Sequence, residues 1–337
     1  MSHMFSASRR NPFSHRLTSP FTLVLFLVFV LQVTESRADE NSFIAPKASM
    51  SLMLDVTTSP SGQLFAAGSR GHILYSNDWK TWTQVLTPTK QNLSAIYFAT
   101  DSKGWAVGHD ATILSTKDSG KSWIKQYRAP EKEQPLFDVL FRDENEGMAI
   151  GAYGLFLTTK DGGNTWKDQY IEDLDDETYG LPHFYKIKAF SPRIYYMVGE
   201  AGLVARSDDA GKSWRRLKTP YSGSFFNILV TNRNSLIVVG LRGALYRSED
   251  AGATWKVVKN ESVASLSGIT QLDNGTIVVA GMEGAFLYSK DDGKTFTFYQ
   301  HPDRDDYSTL IASKNDILLL AGEAGLTTLD VKSVIKR

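Results

Sequence analysis

The chain has 337 residues, 42% of them hydrophobic and 22% charged, with 37 basic and 37 acidic side chains, the make-up of an ordinary globular protein. It contains no cysteine, which excludes disulfides, thiolate metal sites and a lipidated cysteine. Residues 1–38 hold four arginines and one glutamate, so the remainder carries 33 basic against 36 acidic side chains; no basic stripe is left to follow a phosphate backbone, and nucleic acid is not an expected partner.

Residues 1–38 read as an export signal. Arg9, Arg10 and Arg16 form a positive start, 21–33 a hydrophobic stretch, and Ser36, Arg37 and Ala38 place small residues where a signal peptidase cuts. The apolar stretch is short beside the roughly 20 residues of a transmembrane span. Cleavage after Ala38 is the expectation, an uncleaved anchor the alternative. Both put the body of the protein outside the cytoplasm, in a periplasm or lumen-like compartment, peripheral to the membrane.

A short lead, 39–49, precedes seven similar units over 50–337. Each opens on an alternating strand, at 52–56, 93–98, 136–141, 184–190, 225–230, 266–272 and 307–312. A polar turn follows, then an apolar run ending in glycine, such as Trp105-Ala106-Val107-Gly108; such runs suit strands buried on both faces. That glycine opens a Gly-x-x-Gly turn, at Gly68/Gly71, Gly151/Gly154, Gly199/Gly202, Gly240/Gly243, Gly281/Gly284 and Gly322/Gly325, with Ala111 in the last place after Gly108. The glycines are expected to supply the positive φ of a tight hairpin. A third strand leads to the motif Ser/Thr-x-Asp-x-Gly-x-Ser/Thr-Trp, an Asp-box, and then to a fourth strand.

The box occurs at 116–123, 159–166, 207–214 and 248–255, with Phe in the last place at 289–296 and a degraded copy at 76–82. From the first turn glycine to the box's aromatic residue is 15 positions in units two to six and 14 in the first, whereas successive turns are 40, 43, 48, 41, 41 and 41 residues apart. The variation therefore falls in the loops joining units. Seven units of four short strands at this period predict an all-β, seven-bladed β-propeller with four-stranded blades. The seventh unit lacks a box and a fourth strand. An exposed edge invites closure, so Phe43-Ile44-Ala45 is expected to complete the last blade.

In each box the Asp can accept bonds from its own turn, as Asx turns do, and the aromatic residue can pack between blades. Asp118, Asp161, Asp209, Asp250 and Asp291, with Trp123, Trp166, Trp214, Trp255 and Phe296, are read as structural: copies on separate blades cannot pool their carboxylates. Alternating strand direction puts the boxes on one face and the glycine turns, with the variable interblade loops, on the other. The second face is the expected binding face. Arg70, Asp110, Tyr153, Glu200, Arg242 and Glu283, one for each of six turns, are the candidate binding residues. The largest insertion, an acidic run at 172–177, is expected on the same face, as a grip for a basic partner or as a solvated loop.

The apolar-Ala-Val-Gly-x-x-Gly pattern followed by the box, clearest at 105–108 and 118–123, resembles the photosystem II stability/assembly factor-like propellers over about residues 50–330. The resemblance implies an exported, non-enzymatic factor that holds a membrane-associated protein during assembly of its complex. No cofactor, metal or small-molecule substrate is expected, and a monomer is. The resemblance also implies an arginine-rich patch, for which Arg70 and Arg242 stand in comparable turn positions. Asp-boxes occur in sialidases too, so a sialidase-like glycoside hydrolase or glycan-binding propeller is the alternative. The Phe/Tyr-Arg-Ile-Pro signature is absent, Pro192-Arg193-Ile194-Tyr195 lying mid-chain without the second proline; Tyr153 with Glu200 or Glu283 is the nearest approach to a nucleophile pair. His72, His109, His183 and His301 lack metal-ligand spacing, and phosphate-cradle and nucleophile-elbow motifs do not occur.

Overall fold

Alternation in the sequence becomes strands at the expected places, Met53–Thr58, Leu93–Phe98, Leu136–Phe141, Phe184–Ala189, Phe225–Val230, Leu266–Gln271 and Tyr307–Ala312. A computed structural model describes residues 41–175, 180–313 and 316–335; the export signal expected over 1–38 lies outside the described residues. Each of these strands is the first of a blade, and the others follow in chain order, each antiparallel to the next. First strands of neighbouring blades touch all the way round, Met53–Thr58 meeting Tyr307–Ala312. The fold is a seven-bladed β-propeller, with the first strands around the axis.

The second strands explain why the apolar runs are unbroken. All five residues are buried in Leu64–Gly68, Gly104–Gly108, Gly147–Gly151, Tyr195–Gly199, Leu236–Gly240 and Ile277–Gly281. Their alternate side chains serve opposite seams: Phe65 and Ala67 pack towards blade two, Leu64 and Ala66 towards blade seven. The core is thus divided into one apolar cluster for each of the seven seams, as expected when each repeat buries its surface only against its neighbours.

Closure differs from expectation. The seventh sheet has three strands among the described residues, Tyr307–Ala312, Ile317–Gly322 and Gly325–Asp330, and Phe43–Ala45 is not its fourth. The Gln84 side chain takes the lead's pairing groups, donating to the Phe43 carbonyl at 2.8 Å and accepting the Ala45 N–H at 2.8 Å, while the Ser42 N–H donates to the Thr87 carbonyl at 2.8 Å. The lead still bridges the seam. Ala45 and Ala48 pack with Leu319, Ala321 and Leu326 of blade seven. In the seventh unit a short helix, Val331–Ile335, stands where the other units carry a box, and its Val331 and Val334 fill the seam towards blade six.

Candidate binding face

The turn that carries the candidate residues departs from the sequence reading in part. Its first glycine is extended, with φ of −168° at Gly68 and −171° at Gly240. It is glycine because a Cβ there would sit 2.3 Å from the Leu52 carbonyl oxygen, or 2.1 Å from that of Ser224: the turn lies directly on the segment entering the first strand. The third and fourth residues are both left-handed: the third at φ of 50–56° for Arg70, Asp110, Tyr153, Ala201, Arg242 and Glu283, and the closing glycine, as expected of it, at 65–72° for Gly71, Gly154, Gly202, Gly243 and Gly284, with Ala111 at 51° in the second turn. Such a conformation costs a non-glycine residue about 1–2 kcal/mol and persists only where the surroundings over-determine it.

Those surroundings are visible. The Arg70 N–H donates to Asn92 Oδ1 at 3.1 Å, the Tyr153 N–H to His183 Nδ1 at 2.9 Å, and the Glu283 N–H to Asp306 Oδ1 at 2.8 Å. Asn92, His183 and Asp306 each stand just before the first strand of the next blade. The turn backbone is therefore tied to the neighbouring blade, and its side chain is left free for solvent. Arg70, Tyr153, Glu200, Arg242 and Glu283 are exposed.

The structure brings only two of the candidates together. Tyr153 and Glu200 meet at His183, whose Nδ1 accepts the Tyr153 N–H and lies 3.8 Å from Glu200 Oε2; a ring nitrogen that accepts this bond holds no proton of its own. Asp110 is half-buried and engaged, with Arg128 at 2.8 Å and Gln91 Nε2 at 2.8 Å. Arg242 borders an open groove of about 570 Å³ with Tyr221, Lys259 and Asn260, and Arg70 and Glu283 stand on other blades. The described part of the acidic insertion is not on this face: Glu172–Leu174 packs against the outer strand Arg215–Arg216 of blade four. There it lines a rim groove of about 600 Å³ with Thr159, Lys160 and Ser213 of two boxes; residues 176–179 lie outside the described residues.

Sequence reading missed the axial residues. Every first strand carries a β-bulge at its second residue, the extra residues being Leu54, Ser94, Phe137, Tyr185, Phe226, Ser267 and Ser308. Bulges re-aim a side chain, and three of these are aromatic. Below them a charged tier crosses the axis. Asp55 Oδ2 accepts the Ile96 N–H at 3.0 Å and Asp138 Oδ2 the Ile187 N–H at 2.9 Å, bonds that fasten blade one to two and three to four. Lys186 pairs with Asp138 at 3.0 Å. Burial works to lower the Lys186 pKa, but Asp138 and Asp55 outweigh it and the ammonium is held above its usual range. Burial, and beyond it the neighbouring Lys186, push Lys188 down. Lys188 is enclosed by the ring yet reached by water along the axis.

The boxes occupy the opposite face. Asp161 Oδ1 accepts the Thr165 N–H at 2.9 Å and Oδ2 the Thr165 hydroxyl at 2.6 Å, while the Thr159 hydroxyl donates to Oδ1 at 2.9 Å. These bonds, those of Thr165 first, hold Asp161 at about 2. Asp118, Asp209, Asp250 and Asp291 repeat the arrangement. Trp123, Trp214 and Trp255 donate from the indole to their own box glycine at 3.1–3.2 Å and are buried in the seam towards the preceding blade. Each carboxylate is thus consumed by its own turn. Among the described residues no group of three His, Asp or Glu could hold a metal.

The ring and its recurrent boxes define an Asp-box β-propeller. The chain belongs to the family described as photosynthesis system II assembly factor YCF48, whose model matches residues 77–135 and 126–306. A photosystem II assembly protein Ycf48 from Synechococcus sp. (strain JA-2-3B'a(2-13)) is 33% identical over 150 residues, 44% of this chain and 43% of that protein; the chain spans less than half the length of the curated relatives it matches. A solved structure described as YCF48 bound to D1 peptide superposes with a TM-score of 0.67 at 18% identity, covering 83% of this chain and 93% of that one. The GH74 enzyme of Niastella koreensis superposes with a TM-score of 0.64 at 13% identity, over 83% of this chain and 52% of its own. At such identities the structural likenesses show the fold alone.

Proposed function

We propose that this protein is an exported, non-catalytic propeller that holds a segment of a membrane-associated protein during assembly of its complex; its relatives are named photosystem II assembly proteins, and one solved structure is described as YCF48 bound to D1 peptide. The observation that carries the reading is the family match, and the chemistry of the two faces supports it. The box carboxylates are occupied by their own turns. The glycine-turn face offers exposed side chains of differing charge and shape on a braced backbone, a surface suited to a protein partner. A hydrolase needs a nucleophile beside a base and a cluster for the substrate's charge; here Tyr153 and Glu200 share a histidine, and Arg70 and Arg242 stand on blades one and five. The protein acts as a monomer at the membrane periphery, in a periplasm or lumen-like compartment.

The test is capture from solubilised envelope membranes, with bound proteins identified by mass spectrometry. A membrane protein should be retained by the wild type and lost with the pair Arg242→Glu and Glu283→Arg, whose melting temperature stays unchanged. Retention of no membrane protein, or turnover of fluorogenic glycosides that disappears with Tyr153→Phe, would overturn the reading.

A further inference from the structure

We propose that the axial mouth over blades three to five is a seat for an extended client segment in which aromatic or other apolar side chains adjoin a basic one. This deepens, and rests on, the client-binding function proposed above. Five rings from three blades form a continuous run there. Tyr153 meets His183 edge-on at 4.5 Å between centroids, His183 meets Tyr185 at 6.0 Å, and Tyr185 meets Phe137 at 5.4 Å and Phe226 at 5.3 Å. Tyr153 is 64% exposed, and Phe137, Tyr185 and Phe226 are only half-buried.

The fold does not require these rings. The corresponding bulge positions on the other four blades hold Leu54, Ser94, Ser267 and Ser308, on the same backbone and with the same pairing. A bulge that presents serine in three blades and an aromatic ring in three adjacent ones has been filled on one side of the axis only. Rigid aromatic side chains bring a large contact area at little entropic cost and dominate the energetics of protein interfaces. An apolar patch rimmed by polar groups is the usual mark of such a site.

Charge selects the occupant. Glu200 borders the run, with its carboxylate 3.4 Å from the His183 backbone N–H and 3.8 Å from that ring, and it is half exposed. Among the described residues no lysine or arginine pairs with it, whereas the nearby Asp138 is already held by Lys186. An unneutralised carboxylate beside aromatic faces suits an arginine or lysine. The spacing favours a chain over a single side chain: steps of 4.5, 6.0 and 5.3 Å from Tyr153 through His183 and Tyr185 to Phe226 match about five extended residues at roughly 3.3 Å each.

The probe is a fluorescein-labelled peptide, Gly-Arg-Trp-Pro-Phe-Gly, titrated with the full chain and followed by anisotropy, beside a control with Arg replaced by Glu and both aromatic residues by Ser. The wild type should bind the first at least about tenfold more tightly than the control. Tyr185→Ser and Phe226→Ser, which copy the serine of other blades, should each weaken it at least about tenfold without changing the melting temperature, and Glu200→Gln should reduce the preference for arginine. Equal affinity for the two peptides, or binding that survives both serine variants, overturns the seat. Should a serine variant fail to fold, the peptide exchange and Glu200→Gln decide alone. Envelope capture separates this inference from the reading beneath it. A client captured by the wild type and equally by Tyr185→Ser and Phe226→Ser overturns the seat and leaves client binding standing. If the wild type captures no client, the proposed function falls and the anisotropy alone judges the seat.

Discussion

The two ends of each hairpin share one scaffold and use it in opposite ways. At the box end every copy does the same thing: hydroxyl and N–H groups of the turn saturate the carboxylate, and the aromatic residue seals the seam. At the glycine-turn end the backbone repeats just as closely, through the extended first glycine and the left-handed third residue, but the side chain it presents is Arg, Asp, Tyr, Ala, Arg or Glu. Repetition of backbone and side chain together marks a structural device. Repetition of backbone under a changing side chain marks a display surface.

The largest break in this comparison should come from the box end. Trp214 is buried between blades three and four, and Trp214→Ala should cost about 3–5 kcal/mol, read as a lower denaturant midpoint. The lead comes next. Residues 41–50 join blade one to blade seven through Ala45, Ala48 and the Gln84 bonds, so their deletion should lower the melting temperature by several degrees; an unchanged curve would mean that the seam closes without them.

A third prediction sharpens the box end through pH. Asp161 and Asp250 are held at about 2 by bonds from Thr165 and Thr254. Asp209 also stands at about 2, because bonds from Ser213 outweigh a burial effect that acts upward. Folding depresses all three below the ordinary 3.8. The stability they contribute is therefore complete above about pH 4 and drains away as pH falls through about 2. Denaturant midpoints measured down that range should drop, and Asp161→Asn should flatten the slope. The smallest effect belongs to the turn face: Arg242→Ser and Glu283→Ser should change stability by no more than about 0.5 kcal/mol while still reducing client capture.

The sequence made the ring legible because its signals are local and repeated: a period near 41 residues, a fixed distance from turn to box, and apolar runs buried on both sides. Three features were not legible. The role of the first glycine depends on how closely Leu52 or Ser224 passes over it, a contact across 16 residues of one blade that strand alternation does not reveal. The axial rings were hidden by the bulges. Leu136, Val139 and Phe141 share one seam, so the alternation slips by one residue and Phe137 reads as an ordinary strand position. The destination of the lead turned on one side chain, Gln84, which takes the two backbone groups a fourth strand would have used. The recurrence of bulge-position aromatics after Leu136, Phe184 and Phe225 was the signal available, and its meaning required the register.

The central claim is that capture happens at the glycine-turn face. A photo-crosslinking amino acid placed at Arg242, and in a second preparation at Lys212 in the box of blade four, tests it most directly in envelope membranes. Crosslinks to a membrane protein from position 242 and none from 212 are predicted. Crosslinks from 212 and none from 242 would contradict the account.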